Sequence, residues 1–397
     1  MPAKSSASRR GEGLPSAPFF ATPEQRVALA RERFFEEGVR PSGLVPELVI
    51  QSWARCMGAR RAPDEAISFD PVSKARVSTV LARNRLLLEA ARSELSELDA
   101  ALAGTRCKAI LTSHDGVVVH ATSTDGSDGV LMPIVTRVGV DLGESAIGTG
   151  APGVAARTGE VALVQGAEHY FSGNSVMYCA AAPIRDVRGD VAAVLDLSSE
   201  SEMFRFDAAS MVSLYATAIE NRLLAAQARS QLLLRFQASP SLLHTPLAGL
   251  AAVNGDGRVA WFNGSGSSLM GCERVPAWDA RAEALFGLDV EGLLALSHRG
   301  RAQPLRLPNG LTLWVEAQLD GREPALTQPP DAAAIEAAAA EPAAAAAGSA
   351  PATLRDANRH LIEQTLTECK GNVSRTARCL GVSRGLLYRR LRAWGLA

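Results

Sequence analysis

The spacing of hydrophobic and polar positions changes several times along the chain, and each change marks a new element. From about Thr22 to Gly104 the spacing is helical. Val45 to Cys56 places Val49, Trp53 and Cys56 on one side, and Leu81 to Leu102 is a second long helical run. From Cys107 the pattern shifts to short apolar runs. Ala109–Ser113, Val117–Ala121, Val161–Val164, Met177–Ile184 and Val191–Leu197 read as strands, with turns at His114-Asp115-Gly116 and Arg185–Asp190. These predict a mixed sheet flanked by helices, an α+β domain. A long helix, Phe206 to Phe236, then leaves it. Leu250 to Asn263 reads as a hairpin turning at Asn254–Gly257. Leu305–Leu307 and Leu311–Ala317 read as another around Pro308-Asn309-Gly310, with a short helical stretch between the two.

The C-terminal pattern is helical again. After an Ala/Pro/Glu-rich stretch that reads as a linker, Leu361, Ile362, Leu366 and Cys369 mark one face of a helix from about Thr353 to Glu368. Gly371-Asn372 stops it, since both residues tolerate left-handed backbone. Ser374 caps a second helix that buries Ala377 and Leu380, Gly381 makes the turn, and Ser383 caps a third. On the third helix Leu387, Leu391 and Trp394 form a buried stripe, while Gly385, Tyr388, Arg389 and Arg392 face the other way. This is a helix-turn-helix. Its recognition helix meets base edges at its N-terminal part, so Arg384 and Arg389 are the base readers expected. Ser374, Arg375 and Arg390 are placed for phosphates. The full DNA-contact set expected is Asn372, Ser374, Arg375, Ser383, Arg384, Leu386, Tyr388, Arg389 and Arg390.

Charge sharpens this picture. From Cys369 to Ala397 there are seven Lys/Arg and no Asp or Glu, whereas the whole chain has 41 basic and 42 acidic residues. The basic footprint is local, as DNA binding requires. The six cysteines, Cys56, Cys107, Cys179, Cys272, Cys369 and Cys379, have no paired spacing. This argues for a reduced, cytoplasmic setting, with nucleoid association when bound to DNA, and against a metal site. No apolar run reaches the ~18 residues of a transmembrane helix, and the first residues lack a signal-peptide core. The expected organisation is a disordered arm (1–21), a helical N-terminal region (22–104), a sensor domain (105–205), a signalling helix (206–240), a smaller α+β domain (241–320), a linker (321–352) and the DNA reader (353–397).

Two resemblances extend the reading. The tail resembles the Fis-type helix-turn-helix at the C-terminus of bacterial enhancer-binding activators, through Gly371-Asn372-Val373-Ser374, Ala377, Leu380-Gly381-Val382-Ser383-Arg384, Leu387-Tyr388-Arg389 and Leu391. The resemblance implies a dimer placing two recognition helices on a two-fold-symmetric site in double-stranded DNA. Residues 107–196 resemble a GAF sensor domain of the acetoin-catabolism activator type. This rests on Gly143-Glu-Ser-Ala-Ile-Gly-Thr, Glu168-His-Tyr, Cys179-Ala-Ala-Ala-Pro-Ile, the Asp186/Gly189 turn and Val194-Leu-Asp-Leu-Ser, with Ser52-Trp53-Ala-Arg-Cys upstream. The 254–271 segment resembles a degenerate PAS domain. The fold class expected is therefore multidomain α+β: a helical N-terminal region, a GAF-like α/β sensor, a PAS-like α+β domain and an all-α helix-turn-helix.

The GAF resemblance implies a small effector between sheet and helices, near Ile147, Glu168, His169, Tyr170 and Cys179. Taken singly, His169 reads as a turn histidine on a backbone carbonyl and Cys179 as a small buried hydrophobe. Where the family has Thr-Asn before Ala-Ile-Gly, this chain has Glu144-Ser145, so a loop lining the pocket would imply a different effector. The family's ATPase domain is missing. No Gly-x-x-x-x-Gly-Lys-Ser/Thr loop occurs, and Leu142-Gly-Glu-Ser-Ala-Ile-Gly-Thr-Gly lacks the lysine.

The function expected is a small-molecule-responsive, sequence-specific transcriptional regulator without ATPase activity or cofactor. It would be a homodimer, with RNA polymerase or a full-length activator as further partners. The alternative is an accessory protein that heterodimerises with a full-length activator. A free-methionine-sulfoxide reductase, the enzyme class known on GAF folds, would need closely placed cysteines. Cys107 and Cys179 show no resolving pair.

Overall fold

The computed structural model describes residues 22–123, 129–276 and 279–319, together with Val373 and Thr376. The chain divides into two compact units, 1–325 and 326–397. Apart from Val373 and Thr376, the segments expected as arm (1–21), linker (321–352) and helix-turn-helix (353–397) lie outside the described residues.

The first unit opens with α1 (Pro23–Arg31), whose start is set by proline in its first turn and by the Thr22 hydroxyl accepting from the Gln25 amide. A wider π turn, Glu32–Glu36, ends it. Then come α2 (Glu47–Gly58), α3 (Lys74–Arg83) and α4 (Arg85–Leu102). The first sheet contains β1 (Lys108–Ser113), β2 (Val118–Ala121), β3 (Ala162–Gln165), β4 (Met177–Arg185) and β5 (Val191–Glu200). Short helices α5 (Met132–Val135), α6 (Glu144–Ile147) and α7 (Ala151–Thr158) lie in the β2–β3 connection. The strand order is β2-β1-β5-β4-β3.

Every pairing in this sheet is antiparallel. The mixed sheet expected from sequence is thereby corrected. The long β2–β3 connection could have carried a parallel crossover, but it folds back as small helices on the sheet instead.

Successive strand residues face opposite sides, and here both sides are covered. Ala109, Leu111, Ala180, Ala182, Leu195 and Leu197 pack with α4 and with α8 (Ala208–Gln227). Ile110, Cys179, Ala181 and Val194 pack with α2, α7 and an aromatic group. The N-terminal helices α2 and α4 therefore add to covering layers that α7 and α8 also build.

Helix α8 stops at Gln227, well short of the Phe236 expected. Ser230 has φ +65, outside helical backbone, and β6 (Leu232–Gln237) follows. The expected signalling helix, 206–240, thus contains a strand. Leu232, Leu233, Leu234, Phe236 and Gln237 are all buried, because β6 is the middle strand of a second sheet. A strand covered on both faces gives a continuous apolar run, which periodicity does not separate from a helix. That sheet adds β7 (Gly249–Val253) and β8 (Val259–Phe262), helices α9 (Gly264–Met270), α10 (Ala282–Phe286) and α11 (Val290–Arg299), then β9 (Gln303–Arg306) and β10 (Thr312–Leu319). Its order is β8-β7-β6-β10-β9, all antiparallel. Phe236, Phe262 and Phe286 fill its core at ring-centroid separations of 6.5 and 5.4 Å.

The two sheets share α8. Leu224, Ala225 and Ala228 pack with Leu233, Leu250, Ala252 and Trp261. Glu220, 4% exposed, accepts from the Arg185 amide at 2.9 Å and from Arg274 Nη1 at 2.6 Å. Asn221 donates to the Pro246 carbonyl and accepts from Asn263 Nδ2 at 2.7 Å. One helix face is thus bonded to the end of β4 and to the second domain together.

Candidate effector site

The 166–170 loop carries three of the five expected effector residues, and the N-terminal helices hold it in place. Arg31 donates to the carbonyls of Ala167, His169 and Tyr170 at 2.8–3.2 Å. Its guanidinium lies over the rings of Phe35 and Trp53, 4.8 and 5.7 Å from their centroids. Trp53 Nε1 donates to the Glu168 carbonyl at 2.8 Å. Tyr170 stacks edge-on against Phe35 and Phe171. Gly148, at φ +68, ends the Gly-Glu-Ser-Ala-Ile motif where a side chain would come within 2.8 Å of the Phe171 ring.

Behind this loop lies a small cavity of about 30 Å³. Ile147, His169 and Cys179 line it. Glu168 and Tyr170 do not. The Glu168 carboxylate turns back to accept from the Gln165 amide at 2.9 Å, and Tyr170 donates to the Arg61 carbonyl at 2.5 Å. Glu168 is thus held at the loop's own start and Tyr170 by the segment after α2, and both stand as supports of the loop. The other lining residues are Phe69, Ile110, Val135, Leu142, Gly150, Pro152, Asn174, Met177, Asp196 and Ser198. Phe69 also lines a more open cleft of about 410 Å³ with Ile67, Asp70, Leu131, Ile134, Arg137 and Gly173.

One polar chain crosses the cavity wall. Ser198 Oγ donates to Asp196 Oδ2 at 2.6 Å and lies 3.1 Å from Cys179 Sγ. Cys179 Sγ is 3.7 Å from His169 Nε2, and His169 Nδ1 is 3.0 Å from the Gly166 carbonyl. That carbonyl fixes the proton on Nδ1 and leaves Nε2 as acceptor. Burial lowers the His169 pKa to about 4, so the ring is neutral. Burial raises Asp196 to about 7 and Glu168 to about 7, the latter against the Gln165 amide that favours its charge. Burial also pushes the Cys179 thiol well above its ordinary range, with Asp196 adding to the rise. The thiol is a packed, protonated group rather than a nucleophile.

Two residues absent from the sequence expectation, Asp196 and Asn174, are the most polar groups of this wall. The signal was available for the first. Asp196 interrupts an apolar strand and faces the same side as Val194 and Ser198, with Ser198 paired across to Cys179. The Glu144-Ser145 departure, by contrast, does not line the cavity. Glu144 takes both Arg55 Nε and Nη2 at 2.6 Å and Ser52 Oγ at 2.8 Å, so it ties α2 to α6. Arg55→Ala should lower stability by about 1–2 kcal/mol, since a half-buried carboxylate loses its bidentate partner. The urea midpoint measures this, and an unchanged midpoint would place the pair among solvent-screened ones.

The expected DNA contacts, Asn372, Ser374, Arg375, Ser383, Arg384, Leu386, Tyr388, Arg389 and Arg390, lie outside the described residues. In that stretch Val373 and Thr376 are helical, and Thr376 is buried. No helix among the described residues is long and apolar enough to cross a membrane.

Comparison with known proteins places both ends of the chain. Residues 353–394 match the family described as bacterial regulatory protein, Fis family, and residues 22–212 match the MimR N-terminal domain. The chain thus carries the two domains of a bacterial transcriptional regulator. The MimR-type stretch contains every residue of the cavity wall. The chain is similar to the acetoin catabolism regulatory protein of Cupriavidus necator, 27% identical over 62% of this chain and 38% of that protein. It is also similar to the acetoin dehydrogenase operon transcriptional activator AcoR of Bacillus subtilis, 29% identical over 42% of this chain and 28% of that one. The chain therefore spans well under half the length of these relatives. A crystal structure of the E. coli DhaR(N)–DhaL complex aligns with a TM-score of 0.43 at 14% identity, over 68% of this chain and 99% of that one.

Proposed function

We propose that this chain is a sequence-specific transcriptional regulator. It senses a small molecule in the cavity of its GAF-like domain and reads DNA through the C-terminal helix-turn-helix, without hydrolysing ATP. The observation that carries the sensing half is the cavity wall itself, a built polar chain with unspent hydrogen-bonding capacity inside an apolar pocket. The Fis-family match over residues 353–394 supports the DNA-reading half. Helix α8 is the route between them in the first unit, because Glu220 bonds the β4 end and Arg274 of the PAS-like domain at once. The protein acts as a homodimer on a symmetric site. Lacking a phosphate-binding loop with its lysine, it represses or contacts polymerase directly rather than driving a motor.

An enzyme reading has no support in the thiols. Burial pushes Cys107 up to about 12 and Cys179 also well up, so neither is poised as a thiolate.

The test is binding of the full chain to DNA from upstream of its own gene, against a scrambled duplex, across a salt series. A preference that persists at physiological salt is the expected result. Equal and steeply salt-dependent binding to both duplexes would reduce the interaction to charge attraction. The heterodimer reading would then take precedence.

A further inference from the structure

The inner cavity holds two buried oxygens that the protein leaves without partners. Asp196 is fully buried and Asn174 is 3% exposed, and the Oδ1 of each has no hydrogen-bond partner. Both residues line the cavity. A buried polar atom left unpaired costs about 1–3 kcal/mol. Thr112 Oγ1 and Trp261 Nε1, the other such atoms among the described residues, do not line this cavity. Two residues that each carry an unpaired buried oxygen thus line one space, which holds about one or two waters.

The rest of the wall narrows the chemistry. His169 is engaged by Gly166 through Nδ1 and faces the Cys179 thiol through Nε2, and Ser198 donates to the other Asp196 oxygen. The remaining surface is chiefly hydrocarbon, from Ile110, Leu142, Ile147 and Met177. Asn174 Oδ1 needs a donor. Asp196 Oδ1 needs a donor when ionised and an acceptor when protonated. A hydroxyl supplies both, whereas an ammonium only donates and a ketone only accepts.

We propose that this cavity binds a small neutral diol, with one hydroxyl on Asp196 Oδ1, the other on Asn174 Oδ1 and the carbon skeleton against Ile147 and Met177. The proposal rests on the sensing function given above. Phe69 borders both the cavity and the outer cleft, so it is the side chain whose displacement would admit the diol.

The test uses the full chain and three probes: 1,2-propanediol, 1-propanol and 1-propylammonium chloride. Binding is read by calorimetry and thermal shift on wild type and on Asp196→Leu. Wild type should bind the diol at least tenfold more tightly than 1-propanol. Asp196→Leu should erase that preference while binding 1-propanol at least as well as wild type, a gain that an unfolded variant would not show. Equal affinity for diol and monoalcohol in wild type overturns the proposal, as does tighter binding of the ammonium. No binding of any probe also overturns it and leaves water as the occupant. Operator binding under a small-molecule screen separates this from the sensing reading. If a molecule of another class alters operator binding in wild type and not in Asp196→Leu, the diol falls and sensing stands. If none alters it, sensing falls too.

Discussion

Asp196→Asn should stabilise the folded protein at pH 8 by on the order of 4 kcal/mol and hardly at all near pH 4. Burial holds the Asp196 carboxyl near 7, against 3.8 for the free side chain. The hydroxyl of Ser198 opposes that rise, and no cation among the described residues counters it. The sign follows from the direction of the shift. The folded state keeps its proton up to about pH 7, while the unfolded chain releases it near 3.8. The favourable contribution is therefore complete at low pH and lost progressively as pH climbs between those values. At about 1.4 kcal/mol per pH unit, the loss across that window gives the figure stated. Asparagine keeps the shape and a polar contact for Ser198 but has no proton to lose. Glu168, also raised to about 7 by burial, gives the same slope in both proteins and cancels in the difference. Urea denaturation of the pair at pH 4, 6 and 8 checks this. A difference that stays constant with pH would mean that the Asp196 carboxyl ionises at the same pH in the folded and unfolded chains, and so is not buried as described.

A residue whose replacement stabilises the fold needs another reason to be there. Natural sites often keep strained or unpaired groups where they bind. The expected stabilisation and the expected loss of diol recognition are two readouts of the same carboxyl, and they should appear together in variants at this position.

The legible and illegible parts of the chain divide along physical lines. Strands with one polar and one apolar requirement, or with a turn residue at each end, could be read directly. The β7–β8 hairpin announces itself by Asn254-Gly255-Asp256-Gly257, where Gly257 adopts φ +81. Strand β6 could not be read, because both of its faces are covered, Leu232, Leu234 and Phe236 by one apolar cluster and Leu233 by another. Of the residues that the GAF resemblance singles out, Ile147, His169 and Cys179 line the cavity. Glu168 and Tyr170 share the His169 motif but turn away, since residues adjacent in an irregular loop need not share a face. Asn174 sits in a short 3₁₀ turn and carried no periodic signal at all. His169 shows why single residues mislead: it makes the ordinary bond of a turn histidine to Gly166 and also lines the cavity.

Replacing Arg384 or Arg389 with alanine should each cost about 1–3 kcal/mol of specific DNA binding, and the double variant should lose most discrimination between the operator and a scrambled duplex. The reasoning is positional. The sequence pattern predicts a helix capped by Ser383 with a buried stripe of Leu387, Leu391 and Trp394, which would put Arg389 on the opposite face and Arg384 at the N-terminal flank that meets base edges. A guanidinium there meets guanine O6 and N7 with two donors. Lysine at the same place does not reproduce that fork, so Arg384→Lys should recover charge without recovering selectivity. Arg375→Ala and Arg390→Ala should behave differently. They should weaken every duplex about equally and reduce the salt dependence of log Kd by about one phosphate each. Anisotropy titrations at several salt concentrations, on operator and scrambled DNA, separate the two classes. If Arg384→Ala and Arg389→Ala keep wild-type selectivity and change only the salt slope, they contact phosphates, and base reading falls to other groups on the same face, Tyr388 foremost.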